Sequence, residues 1–193
     1  MELSIKDFKW INKSEYNLEG DTITITALPK TDYFRNPING SVSENAQFLY
    51  TEIEGDFAFR AKVKPNFEET FDACSLFVYA DEENWIKTAF EATDLGTNAI
   101  VTVVTRGFSD DANSVNVEGE SIYLQLVRKK DTFVCHYSFD GKEFMMARIF
   151  HFPAPSTLKV GFGAQSPKGR GGPREFSEAQ LLWDLPENLR LFK

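Results

Sequence analysis

The sequence predicts an all-β fold, an antiparallel sandwich or barrel formed by one domain spanning residues 1–193. Three observations predict it. Apolar and polar residues alternate with period two in segment after segment, and turn residues recur about every 8–12 positions. No amphipathic stretch is long enough to make the crossover helices of a parallel sheet. The chain also holds 18 Phe, bulky strand formers suited to filling the roughly 10 Å layer between two packed sheets.

The first strand is expected at residues 8–12, and the second at 22–27 after the turn residues Gly20 and Asp21. Residues 48–53 lead through Gly55-Asp56 to 57–64, where Phe57, Phe59, Ala61 and Val63 alternate with Arg60, Lys62 and Lys64. That pattern is a strand with one wet face. Residues 74–80 are more continuously apolar, as in a central strand. Residues 85–93 and 99–105 flank a short loop at 94–98 and read as a hairpin. Strands at 121–128 and 132–139 follow, joined through Lys129-Lys130-Asp131. Asp140-Gly141 reads as a two-residue turn into 144–152. Residues 158–164 and 176–183 complete the series. Two longer loops, 32–46 and 165–174, have the length at which loops often carry function.

Charge narrows the function classes. The net charge is −8, from 29 acidic and 21 basic residues, and an acidic surface repels nucleic-acid backbones and anionic membranes. No apolar run reaches the length of a membrane-spanning helix. Residues 1–20 carry Lys6, Lys9 and Lys13 without an apolar core or a small-residue cleavage site, so no secretory leader is expected. Cys74 and Cys135 both fall in apolar strand patterns and read as buried thiols of a cytoplasmic protein.

Several motifs occur together and in a definite order. They are Thr31-Asp32-Tyr33-Phe34, Gly55-Asp56-Phe57, Phe71-Asp72, Trp85-Ile86-Lys87 with Glu91, and Val103-Val104-Thr105-Arg106 followed by Ser109-Asp110. Tyr137-Ser138-Phe139-Asp140-Gly141 with Arg148, and the run from Val160 to Pro167 with Gly169, complete them. Over about residues 30–180 the chain thereby resembles the regulation-of-enolase-type family of concanavalin A-like domains, of the lectin/glucanase superfamily. The resemblance implies a jelly-roll sandwich of two antiparallel sheets with a concave, ligand-sized face, and it implies no reaction. The chain departs from the family pattern at two places. Asp72-Ala73-Cys74-Ser75-Leu76 lacks an amide side chain, and Ser109-Asp110-Asp111 lacks an aromatic.

The candidate site starts from residues 85–91. Trp85, Lys87, Ala89 and Glu91 share one strand face, opposite Ile86, Thr88 and Phe90. A ring on which a sugar can stack, an ammonium and a carboxylate suit a carbohydrate or polyol ligand. The plain alternative is a solvated face with a Lys–Glu pair. Arg106, Ser109 and Asp110 follow a strand end and are candidate polar contacts. Arg148, a lone charge in an apolar run, is a further one. Laminarinase-type enzymes carry both catalytic acids on one strand, whereas here Lys87 and Ala89 occupy the positions before Glu91. If the protein is a glycoside hydrolase, the acids are Glu91 with Asp72 or Asp110. Lys87 is expected to lower the pKa of Glu91, the wrong direction for a general acid.

Metal binding finds little support. His136 and His151 have no ligand-spaced partner, and the acidic turns 81–84 and 110–113 do not match a calcium loop. The glycine-rich run after Gly161 lacks the lysine and following helix of a phosphate loop. Lys168, Arg170 and Arg174 could form only a small anion site there. No cofactor is expected. The sequence thus favours a carbohydrate- or polyol-binding sandwich, with a sugar-acting enzyme second and a protein-binding adaptor in metabolic regulation third.

Overall fold

A computed structural model describes residues 5–192, the side chain of Lys6 excepted. The leader reading of residues 1–20 therefore falls partly outside the described residues. A single 3-10 turn, Ile5–Asp7, precedes the strands.

Two seven-stranded antiparallel sheets face one another. The first runs in the order β1 (Lys9–Ile11), β6 (Gln47–Glu54), β15 (Thr157–Gln165), β8 (Ala73–Asp81), β9 (Asn84–Ala92), β10 (Asn98–Arg106) and β11 (Phe108–Asn116). The second runs β14 (Met145–His151), β13 (Thr132–Ser138), β12 (Ile122–Lys129), β7 (Phe57–Lys64), β16 (Gly172–Leu182), β3 (Thr22–Ala27) and β2 (Tyr16–Glu19). A separate hairpin, β4 (Tyr33–Arg35) with β5 (Val42–Glu44), lies against β11. The jelly-roll sandwich predicted from the sequence is the observed architecture.

The inner faces of the sheets meet in one core that contains Phe57, Phe59, Phe90, Phe133, Phe162 and Phe176. This is where much of the phenylalanine excess goes. Alternation decides which side chains enter: on β7, Phe57, Phe59, Ala61 and Val63 are buried, while Arg60, Lys62 and Lys64 stay partly wet. Two smaller apolar clusters lie on the outer faces. The one on the second sheet holds Ala58, Val127, Val134, Phe144, Leu189 and Phe192 under the C-terminal segment. The other covers part of the first sheet and joins Tyr33 to Phe48, Tyr50, Phe77, Trp85, Val101 and Val103. Cys74 and Cys135 are free thiols buried in the main core, where desolvation pushes their pKa values up.

Four strands differ from the sequence expectation. β2 and the three-residue β4 and β5 were not anticipated, the last two falling within the expected loop at 32–46. β11 takes in the acidic stretch 110–113, which resembles a turn in sequence because Phe108–Asn116 has no apolar alternation. Asp140-Gly141 is not a two-residue turn. β13 ends at Ser138 and β14 begins at Met145. The Asp140 carboxylate accepts from the backbone N–H groups of Lys142 and Glu143 at 2.8 and 3.0 Å, closing a longer loop.

Candidate functional site

Strand β9 separates its side chains as its alternation demands. Ile86 and Phe90 enter the main core, while Trp85, Lys87, Ala89 and Glu91 point to the outer face of the first sheet. Across that face, Asp111 lies beside Val103, Val103 beside Lys87 and Lys87 beside Phe77. Further along the strands, Glu91 is paired with Ala73, whose other neighbour is Gln165.

The hairpin β4–β5 roofs this face. Arg35 fastens it: its Nε donates to the Gly107 carbonyl at 2.7 Å, its Nη1 to Glu44 at 2.6 Å and its Nη2 to Glu83 at 3.2 Å. The backbone N–H of Arg35 donates to Ser109 Oγ at 2.9 Å, and Ser109 shares a hydrogen bond with Thr105. On the other side, Thr31 bridges to Ser166 on the loop after β15. Between roof and sheet lies a pocket of about 110 Å³. Lys87, Glu91, Val103 and Gln165 form its floor, Asp111 one side, and Asp32, Phe34 and Phe71 the rest. Phe71 holds a left-handed backbone, φ 71°, in which a bulky residue is strained.

The polar groups of the floor are linked. Lys87 is 3% exposed, and its Nζ donates to the Tyr33 carbonyl at 2.9 Å, to Gln165 Oε1 at 2.9 Å and to Asp32 Oδ1 at 3.4 Å. Gln165 Nε2 donates to the Phe71 carbonyl at 3.1 Å and to Glu91 Oε2 at 3.4 Å. Burial raises the pKa of Glu91 to about 8, opposed by Lys87 and reinforced by Asp111, Asp32 and Asp94. The expected lowering by Lys87 is real in sign but loses to desolvation, which favours the protonated form of Glu91 well above the usual carboxylate range. Desolvation likewise raises Asp111, although that residue stands exposed at the pocket mouth.

Of the residues singled out from sequence, only Lys87 and Glu91 line this pocket. Trp85 cannot stack on a ligand, because it is fully buried between Phe77 and Tyr33, with ring centroids 5.4 and 5.9 Å away. Ser109 is buried and anchors the roof. Asp110 and Arg148 pair with each other at 2.9 Å between the two sheets, since Asp110 lies opposite Val104 and turns away from the pocket. Arg106 also points toward the second sheet and donates to the His151 carbonyl at 3.3 Å. Asp72 is fully buried against Arg174 at 2.9 Å and accepts the N–H groups of Glu68 and Glu69, each at 3.0 Å. Neither Asp72 nor Asp110 can therefore serve as a second acid beside Glu91, and Arg174 is no part of a loop anion site.

His136 is a buried residue held neutral, its pKa lowered to about 4 by desolvation, and it donates from Nε2 to the Leu189 carbonyl at 2.9 Å. Among the described residues no three His, Cys, Asp or Glu side chains are grouped to hold a metal ion.

Sequence reasoning missed Asp32, Phe34, Phe71, Asp111 and Gln165 as pocket residues. A signal existed for all five. Asp32, Phe34, Phe71 and Gln165 belong to the shared motifs, and Asp111 stands where the family pattern has an aromatic.

Comparisons with known proteins agree with the fold. The model of the family described as "Protein of unknown function (DUF1349)" matches residues 10–182. "Regulation of enolase protein 1" of Saccharomyces cerevisiae is 27% identical over 182 residues, covering 93% of this chain and 91% of that protein. A crystal structure of a functionally unknown protein from Saccharomyces cerevisiae superposes with a TM-score of 0.88 at 27% identity, covering 95% of this chain and all of that one. The carbohydrate-binding module CBM66 from Bacillus subtilis shares the fold at a TM-score of 0.57 and 9% identity, covering 89% of this chain and 94% of the module. The GH43 protein BlXynB from Bacillus licheniformis does so at 0.59 and 17%, covering 90% of this chain and 39% of that protein.

Proposed function

The chain belongs to the family of proteins of unknown function DUF1349, and on that footing we propose that it binds a small carbohydrate or polyol between β9 and the β4–β5 roof. The single observation that carries this reading is the linked polar floor of Lys87, Gln165 and Glu91, walled by the rings of Phe34 and Phe71. Sugars combine hydroxyls with C–H faces, and such a pocket meets both. Size supports a small unit. A cavity of about 150 Å³ holds benzene, so 110 Å³ takes one edge of a sugar ring rather than an oligosaccharide. Sharing a fold with a carbohydrate-binding module adds plausibility. The cytoplasm is the proposed setting, where two buried cysteines remain thiols.

The test is an NMR titration of the ¹⁵N-labelled full chain with glucose, glucosamine, xylose and glycerol. Shifts at residues 31–35, 87–91 and 111 are expected, with Phe71→Ala weakening binding several-fold to about tenfold. No shift from any of the four compounds at 50 mM would sink the reading.

A second reading is favoured by burial raising the pKa of Glu91 to about 8 while Asp111 lines the same pocket. In a sugar-acting enzyme Glu91 would donate a proton and Asp111 would activate water. Glu91→Gln should then abolish turnover of aryl glycosides and leave binding nearly intact. A protein partner in metabolic regulation, the reading that the yeast relative's name favours, would instead co-purify and ignore substitutions in the pocket.

A further inference from the structure

The donors and acceptors of the pocket can be accounted for one by one. An ammonium has three N–H donors and no acceptor. All three of Lys87 are committed, to Tyr33, Gln165 and Asp32. Both N–H donors of Gln165 are committed too, to Phe71 and Glu91. The nearby guanidinium of Arg35 is turned to Gly107, Glu44 and Glu83 and that of Arg148 to Asp110, and neither residue lines the pocket. Apart from the Glu91 carboxyl in its protonated form, the floor therefore has no donor left for a ligand.

Acceptors remain. Asp111 has no ion-pair partner among the described residues. Glu91, 7% exposed, uses Oε2 toward Gln165, and its Oε1 has no hydrogen-bond partner among the described residues. Asp32 likewise makes its contacts through Oδ1 alone. Three carboxyl groups thus surround one ammonium that is already engaged. The walls suit a cation as well, since aromatic rings attract cations at their faces and Phe34 and Phe71 both line the pocket. The chain itself sets the ammonium of Lys168 over Phe71, 4.7 Å from the ring centroid.

We propose that the natural ligand of this pocket carries a protonated amine, as an amino sugar or amino polyol does, and that the pocket rejects sugar acids and sugar phosphates. The inference rests on the reading that the pocket holds a small polyhydroxy compound. The amine sits against Asp111 and Glu91 while the hydroxyls donate to Asp32 and Asp111. The charged groups facing Glu91 are Lys87, Asp111, Asp32 and Asp94. A cation added among them favours the carboxylate form of Glu91, so binding at neutral pH expels a proton.

The experiment compares glucose, glucosamine, N-acetylglucosamine and glucuronate against the full chain, by NMR titration and by calorimetry in two buffers of different ionisation enthalpy. Glucosamine is expected to bind at least about tenfold more tightly than glucose and N-acetylglucosamine. Proton release should accompany glucosamine alone, and glucuronate should give no shift. In Asp111→Asn, a surface substitution, the preference for glucosamine should fall below about threefold. Equal affinity for glucose and glucosamine, or tightest binding of glucuronate, overturns this inference and leaves the binding reading standing. Absence of shifts with all four overturns both.

Discussion

Arg174 and Lys87 are both buried cations that touch Gln165, one through its backbone carbonyl and the other through its side-chain amide. They differ in the acid they face. Asp72, opposite Arg174, is sealed from solvent together with its partner. Asp32, opposite Lys87, keeps about a quarter of its side chain exposed, and both residues line an open cavity. The sealed pair fastens the loop before β8 to the strand β16. The open pair leaves a chemically equipped space. A buried charge is weak evidence for a site on its own, and what distinguishes these two is whether anything could reach the partner.

The largest expected effect tests the sealed side. Arg174→Met leaves Asp72 buried without its cation and should destabilise the fold by about 3–5 kcal/mol, read from the midpoint of urea denaturation. Lys87→Met should cost less, about 1–3 kcal/mol, because Asp32 can turn to water and only the Tyr33 carbonyl and Gln165 amide lose a donor. Equal losses for the two variants would break the comparison.

The next effect is set by pH. Glu91 has a folded pKa of about 8 against 4.5 for an ordinary glutamate. Between those values the folded chain holds a proton that the unfolded chain has released. The contribution of this group is therefore complete below about pH 4.5 and is lost as pH rises through about 8, with a slope of at most about 1.4 kcal/mol per pH unit. Stability curves of the parent and Glu91→Gln should diverge over that window, and parallel curves would contradict the assignment. The smallest effect concerns the roof. Ser109→Ala removes the acceptor of the Arg35 N–H and should cost about 1 kcal/mol, with faster hydrogen exchange confined to residues 31–36.

These regions also differ in how far they could be read from the chain. Alternation on β7 and β9 assigned faces correctly because one face of each meets the main core. It could not tell that the outer face of β9 is itself roofed. The roof comes from residues 33–44, more than forty positions before Trp85, in strands too short to show a period. Trp85 therefore read as an open platform while it packs under Tyr33. β11 escaped notice because most side chains of this edge strand are polar and exposed and show no apolar alternation, and with it went Asp111. Asp72 and Asp110 look like free acids in sequence. Their cations, Arg174 and Arg148, arrive from distant strands.

Gln165 also decides an orientation. A lysine can only donate, so the amide oxygen must face Lys87 and the amide nitrogen must face Glu91. The amide cannot flip without setting donor against donor. Glu91 Oε2 is thereby fixed as an acceptor, and when the carboxyl is neutral its hydrogen belongs on Oε1, the oxygen without a partner. The one mobile proton of the floor is thus aimed into the pocket by a side chain that never titrates.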